Sequence, residues 1–360
     1  MADSTSALGF YPGELILMGM SGKLASASTL QTIKSENVSQ LILFSHNYES
    51  PEQLIDLTDS LQNHSPDALP ILVSADQEGG RVQRFIAGFT RLPSAKKIGD
   101  RNLPSLTFEL AKIQARELFA AGIQLNFAPD SDINTNPQNP VIGDRAFGDH
   151  EDRVTRMVTA SVRGHLQEGV HPCIKHFPGH GDTHLDSHFA LPSVTTPLDL
   201  LRTREWIPFH KAMRSGCQFL MSAHVLLPHL DPKFPGTLSK TFLQTYLRQE
   251  LQYRGIIVSD DMEMHAITHH YGAQEAPLLA LEAGCDLLCY RSEEQALIAL
   301  ESIKKALESG RLSAERLRQS AMRIREVRKG IQLAKNKLSK VQRLSLIGSE
   351  EHAASAAQFL

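Results

Sequence analysis

Cysteine is scarce in this chain: Cys173, Cys217, Cys285 and Cys289 are the four in 360 residues. None lies in a C-x-x-C pair, so a disulfide scaffold is excluded and buried reduced thiols are expected, as in a cytoplasmic protein. Long apolar runs are missing too. Residues 15–20 form only a short one, preceded by Glu14, and nothing approaches the ~18 apolar residues of a membrane span. The first nine residues are polar and carry no basic segment, so no export signal is read. An excess of one charge sign is also absent. Lys+Arg is 37 and Asp+Glu is 40, a formal net charge of -3, which leaves no basic surplus for nucleic acid or an anionic membrane. No obligate protein partner and no cofactor are inferred. There is no P-loop and no serine elbow, and the first apolar run leads into Gly19-Met20-Ser21-Gly22 rather than a G-x-G-x-x-G turn.

What is present suffices for a layered core. Hydrophobic residues make up 41% of the chain, which excludes wholesale disorder. Eight short apolar runs recur, at 14–20, 40–45, 70–75, 123–128, 171–176, 217–222, 255–259 and 285–290. They lack polar alternation, as strands buried on both faces do. Helical patterns separate them. Leu106, Leu110, Ile113 and Leu118 repeat at helical spacing and Gly122 follows as a stop. Ser292 and Gln295 form a capping pattern, and Leu317, Ala321, Ile324 and Val327 mark a helix after the eighth run. Residues 264–284 show no clear pattern. The count predicts an α/β fold, a (β/α)8 TIM-like barrel, over an open doubly wound sheet. Residues 1–335 are expected to form this barrel, a compact single domain. Residues 336–360 are expected to be a helical tail packed on it.

Active groups of such a barrel sit at the C-terminal strand ends. There the third run meets Asp76-Gln77-Glu78, the fourth meets Asn126, Asp130 and Asp132, the fifth Lys175-His176, the sixth His224, and the seventh Asp260-Asp261. The opposite strand ends carry no comparable set in the sequence. Histidine is plentiful, at 16, and His176, His180, His184 and His188 are spaced by four. On a helix they would suggest a metal site, but Pro178, Gly179 and Gly181 predict a loop, and no metal is assigned. At the end of this loop Asp186 lies two residues from His188. A carboxylate there can fix the imidazole tautomer and raise its pKa, making an acid near neutral pH. Asp260 at a strand top suits a nucleophile or a metal ligand, and Asp261 a helix cap.

The stretch 175–188, K-H-F-P-G-H-G-D-T-H-L-D-S-H, resembles the signature of bacterial family 3 glycoside hydrolases with β-N-acetylglucosaminidase activity. Four further stretches are similar to motifs of that family and come in its order: D-Q-E-G-G-R-V-Q-R at 76–84, N-F-A-P-D at 126–130, G-D-R-A-F-G at 143–148 and S-D-D-M at 259–262. The resemblance spans residues 14–330. It implies a barrel and retaining hydrolysis of terminal β-linked N-acetylglucosamine, with peptidoglycan-derived muropeptides as the carbohydrate substrate class. By position it implies Asp260 as nucleophile, His188 as acid/base with Asp186 as its partner, and Asp76, Arg84, Arg145, Lys175 and His176 as the groups that hold the sugar.

The residue types agree with those roles, since a retaining mechanism needs a nucleophilic carboxylate and a proton donor on opposite faces. Asp76, Lys175 and Arg145 suit sugar hydroxyls. Arg84 and Arg145 can equally meet an anionic group or an amide oxygen. Glu78 is a rival acid, for which a structural part is expected. His184 and the segment His269-His270-Tyr271 match no role in the motifs, and Arg291-Ser292 stand where an amide-bearing residue is expected. The competing functions are a phosphorylase using the same residues, a non-catalytic sugar-binding barrel, and a metal-dependent hydrolase.

Overall fold

The computed structural model describes residues 8–184 and 191–359. Eight parallel strands form one sheet: β1 (Ile16–Gly19), β2 (Gln40–Leu43), β3 (Leu72–Ala75), β4 (Leu125–Asn126), β5 (His171–Phe177), β6 (Phe219–Ser222), β7 (Ile256–Ser259) and β8 (Leu288–Tyr290). Their spatial order is β8-β1-β2-β3-β4-β5-β6-β7. A parallel bridge from Val258 to Leu287 brings β7 back to β8 and closes the ring. Each apolar run of the sequence supplies one of these strands. They are short and buried because helices cover the outside of the ring while side chains fill its inside. Closure, rather than an open sheet, makes this the expected (β/α)8 barrel.

The helices that matter for the site are α1 (Ala27–Glu36), α2 (Pro51–Gln62), α3 (Pro104–Ala121), α4 (Glu151–Gln167) and α5 (Trp206–Arg214), then α6 (Ala276–Ala283), α7 (Glu293–Glu308) and α8 (Ala314–Gly330). α3 ends at Gly122, whose φ of 83° is the left-handed C-cap the sequence called for. Ser292 caps α7 by accepting from the Gln295 N–H. The tail forms two helices, α9 (Lys340–Leu346) and α10 (Glu350–Ala357), with Gly348 between them.

Two expectations need correction. The patternless stretch at 264–284 contains a short helix, His265–Tyr271, followed by α6. Ala266 and Ile267 are buried while His265 and His269 stack on its exposed side, ring centroids 4.3 Å apart. The helical period is carried by two apolar residues only, too few to read. The lower strand ends are also not free of charge. Asp286, just ahead of β8, is fully buried and meets Arg248, Arg316 and Arg323. Glu14, ahead of β1, is buried against Arg325.

Candidate active site

The C-terminal strand ends open into a cavity of about 540 Å³. Asp76 follows β3, Lys175 and His176 lie on β5, Asp260 follows β7, and all line it. Arg84 and Glu78 enter from a small hairpin, Gln77–Gly79 against Val82–Gln83, and Arg145 from the turn Gly143–Arg145. Buried Asn126 holds the start of the hairpin. Its Oδ1 accepts from the Gln77 N–H at 3.0 Å and its Nδ2 donates to the Gln77 carbonyl at 3.0 Å. The Nε2 of His165 accepts from the same amide at 3.0 Å, and burial pushes His165 down to about 4, so it is a neutral supporting group.

The charged groups form one connected set. Lys175 Nζ lies 2.9 Å from Asp76 Oδ1 and 2.7 Å from Glu78 Oε1. Arg84 donates to Asp76 Oδ2 at 3.0 Å and stands over the Phe44 ring. Arg145 grips Glu78 with two bonds, at 2.9 and 2.8 Å. Burial would raise the Glu78 pKa, but Arg145 and Lys175 outweigh it and hold the carboxylate ionised, well below the usual range. Glu78 therefore acts as an anionic clamp on two cations, and no proton is available on it for acid catalysis.

Asp260 shows the same balance. Burial raises its pKa, and His224, His176, the Asp261 N–H and Lys175 together bring it below the ordinary carboxylate value. The Asp261 N–H donates to its Oδ1 at 2.8 Å, leaving an ionised carboxylate at the cavity wall. His224, unassigned from sequence, fixes the next residue: its Nε2 donates to the Asp261 carbonyl at 3.0 Å and its Nδ1 accepts from Thr237 Oγ1 at 2.9 Å. Asp261 caps the following turn by accepting from the Glu263 N–H and pairs with Arg291 at 3.0 Å. Arg291 itself lines the cavity, so a paired guanidinium occupies the place where an amide was expected.

His176 Nδ1 donates to Asp132 Oδ2 at 2.7 Å, and its Nε2 accepts from Arg145 at 3.3 Å. Burial, aided by Arg145, drives its pKa down to about 4, consistent with that neutral tautomer. Asp130, Asp132 and His176 place three potential ligand atoms within 4.8 Å of one another. Of these groups, His176 Nδ1 and Asp132 Oδ2 are already bonded to each other. Asp132 also accepts from the His176 and His180 N–H groups, at 3.2 and 2.7 Å, and its own N–H donates to Asp130 at 2.8 Å. A cation would have to break the His176–Asp132 bond, so the trio is a hydrogen-bonded support. Asp132 was noted from sequence only as a strand-end charge. Its i, i+2 spacing from Asp130 was the available signal.

Up to His184 the histidine-rich stretch leaves β5 as a loop, as Pro178, Gly179 and Gly181 predicted. Gly181 packs so closely that a Cβ would lie 1.7 Å from the Ile133 carbonyl. Asn139 donates to the His180 carbonyl and Asn136 to the Thr183 carbonyl, each at 2.8 Å. Asn136 also donates to His184 Nδ1 at 3.0 Å. His184 is thereby tied to the segment between β4 and α4 rather than to the charged set. Trp206 on α5 donates its indole N–H to the Pro178 carbonyl at 3.1 Å. Beside it Glu205, 3% exposed, packs against Gly179 and accepts from Arg204 on one oxygen. Its Oε2 has no hydrogen-bond partner among the described residues, and burial pushes its pKa up to about 7. Asp186 and His188 lie outside the described residues.

Residues 13–327 match the family model described as the glycosyl hydrolase family 3 N terminal domain. The chain belongs to glycoside hydrolase family 3. Among curated relatives, a beta-hexosaminidase of Pseudomonas aeruginosa is 37% identical over 295 residues, 80% of this chain and 87% of that protein. One from Nitrosomonas eutropha is 36% identical over 308 residues, 82% and 87% of the two chains. Among solved structures, a family 3 beta-N-acetylglucosaminidase from Paenibacillus sp. FPU-7 superposes with a TM-score of 0.92 at 37% identity, covering 100% of this chain and 68% of that one. NagZ from Neisseria gonorrhoeae superposes with a TM-score of 0.80 at 28% identity, covering 96% of each. This family 3 chain is a glycoside hydrolase of the β-N-acetylhexosaminidase class, acting on carbohydrate. Among its described residues no helix is long and apolar enough to cross a membrane.

Proposed function

We propose that the chain is a retaining exo-β-N-acetylglucosaminidase that removes terminal β-linked N-acetylglucosamine, including that of peptidoglycan-derived muropeptides. The observation that carries this reading is the ionised Asp260 carboxylate at a cavity wall shared with Asp76, Lys175, Arg84 and Arg145. The Neisseria relative was solved in complex with N-trifluoroacetyl-D-glucosamine, a glucosamine derivative that this polar cavity suits. Asp260 attacks the anomeric carbon and forms a glycosyl ester while His188 gives its proton to the leaving oxygen. Neutral His188 then takes a proton from water, whose oxygen displaces Asp260 and restores both groups. Asp186 fixes the His188 tautomer. Asp76, Arg84, Arg145, Lys175 and His176 hold the sugar, with Glu78 setting the two central cations. Four buried free thiols fit a reducing, cytoplasmic setting.

The test is a panel of aryl β-glycosides differing only at the 2-position, run with and without inorganic phosphate. Preference for acetamido over hydroxyl and phosphate-independent release are expected. Phosphate-dependent formation of a sugar 1-phosphate would overturn the hydrolytic reading. His188→Ala should slow poor leaving groups far more than activated ones. Equal losses on both would remove the acid role.

A further inference from the structure

The match to the family ends at residue 327, yet the chain beyond it packs against the loop that follows the cavity-lining hairpin. His352 on α10 is 4% exposed, and its Nδ1 lies 2.9 Å from Glu117 Oε1 on α3. Facing a carboxylate, that nitrogen carries the proton. Glu117 is equally buried. Its other contacts are to Thr90, whose N–H donates to Oε2 at 2.9 Å and whose hydroxyl donates to Oε1 at 2.5 Å. The Thr90 carbonyl accepts from Gln83 Nε2 at 3.0 Å, and Gln83 pairs across the hairpin with Gln77. Gln77 then closes on Phe85 with two bonds, at 2.9 and 3.0 Å. Asp76, Glu78 and Arg84 are the immediate chain neighbours of these glutamines. A buried series of hydrogen bonds and one strand pairing thus runs from the last helix to the hairpin whose neighbouring residues line the cavity.

A second contact lies beside it. Gly348, in the turn between α9 and α10, sits so close to Gly88 that a Cβ would stand 2.1 Å from the Gly88 carbonyl. Arg343 pins α9, donating to the Ala120 carbonyl at 2.7 Å and to both Asp59 oxygens at 2.9 and 2.8 Å. The C-terminal segment is therefore seated on the 85–92 loop by backbone contact and tied to it through one carboxylate.

We propose that His352 is a positioning residue for sugar binding: through Glu117 and Thr90 it holds the hairpin that presents Asp76 and Arg84 to the cavity. This rests on the reading that Asp76 and Arg84 hold the sugar. Without His352, the buried Glu117 carboxyl has one hydrogen-bond donor fewer, and the Thr90 loop loses its fixed anchor. Misplacement of binding groups by about 1 Å weakens their hydrogen bonds while leaving Asp260, just after β7, where it was.

The experiment compares His352→Ala, His352→Asn, Thr90→Val and Asp76→Asn on an aryl β-N-acetylglucosaminide, with a thermal melt of each. His352→Ala and Thr90→Val are expected to raise KM roughly three- to tenfold with kcat within about twofold. His352→Asn, which can place an N–H where Nδ1 was, should restore KM. A lowered Tm with unchanged KM, or a fall in kcat alone, would reduce the tail to a stabilising role and overturn the proposal. If Asp76→Asn raises KM and the other variants do not, the inference alone fails. If Asp76→Asn also leaves KM unchanged, the sugar-binding reading fails and takes the inference with it. Should His352→Ala not fold, Thr90→Val, which removes one hydroxyl, decides the matter.

Discussion

Two buried ion clusters lie at opposite ends of this barrel, and they are built differently. At the lower end Asp286 is saturated. Its Oδ2 accepts from the Ile257 N–H and Arg248, and its Oδ1 from Ser320, Arg323 and Arg316. At the upper end the cluster around Lys175 and Glu78 borders the cavity, and it is not saturated. Arg84 Nε and Asp130 Oδ2 have no hydrogen-bond partners among the described residues. Burial penalises an ion unless its hydrogen-bonding capacity is met. The lower cluster meets that demand within the protein and fastens α8 to the strand ends. The upper one leaves two buried polar atoms unmet and borders a cavity. Saturation, more than the presence of charge, separates the strut at the lower end from the cluster that borders the cavity.

The comparison can be broken at either end. The largest effect is expected from Asp260→Ala, which should lower turnover by at least about 10⁴-fold while the melting temperature holds. A near-normal rate would place the nucleophile elsewhere. Asp286→Ala should do the reverse. Leaving three arginines around an empty position should cost about 3–5 kcal/mol of stability, read by denaturant unfolding, with kcat unchanged while the enzyme is folded. Loss of activity without loss of stability would erase the distinction between the clusters. The acid limb of kcat/KM comes next. Because Asp260 is held below the ordinary carboxylate value, its charged form is present throughout neutral and mildly acidic pH and is lost only as pH falls through that lowered value. The acid limb is therefore expected below about pH 4. A limb near pH 6 assigned to Asp260 would contradict its environment.

The smallest effect sharpens the rule of saturation. Glu205 is only half partnered, and its folded pKa of about 7 lies above the ordinary carboxylate value of 4.5. The folded state then binds a proton that the unfolded state has released, so stability contributed by protonated Glu205 is full below about pH 4.5 and declines as pH rises through 7. Glu205→Gln should raise the melting temperature by a few degrees at pH 8 and change it little at pH 4.5. A destabilised variant at pH 8 would mean that the Arg204 contact outweighs the burial of the charge.

Legibility followed where each partner lies along the chain. Asp76, Lys175 and Asp260 could be placed at a cavity from sequence because each directly follows or ends an apolar run, and a parallel barrel gathers those ends on one face. The Glu78 clamp was half legible: a structural part was expected, but its partners Lys175 and Arg145 are distant in sequence. The lower cluster was missed outright. Asp286 sits inside an apolar run, and Arg248, Arg316 and Arg323 are 38, 30 and 37 residues away. The proposed acid/base pair, Asp186 and His188, rests on spacing and motif alone and falls outside the described residues.

The sequence by itself determined the number of strands, their parallel burial, the loop character of the histidine-rich stretch and the family. These depend on local periodicity, turn chemistry and contiguous motifs, all of which are written along the chain. The tertiary structure alone decided which charges are ionised, which imidazoles are neutral, which cluster is saturated and how the last helix meets the hairpin. Protonation and saturation are set by burial and by neighbours brought together across the fold, and neither is a property of any one segment.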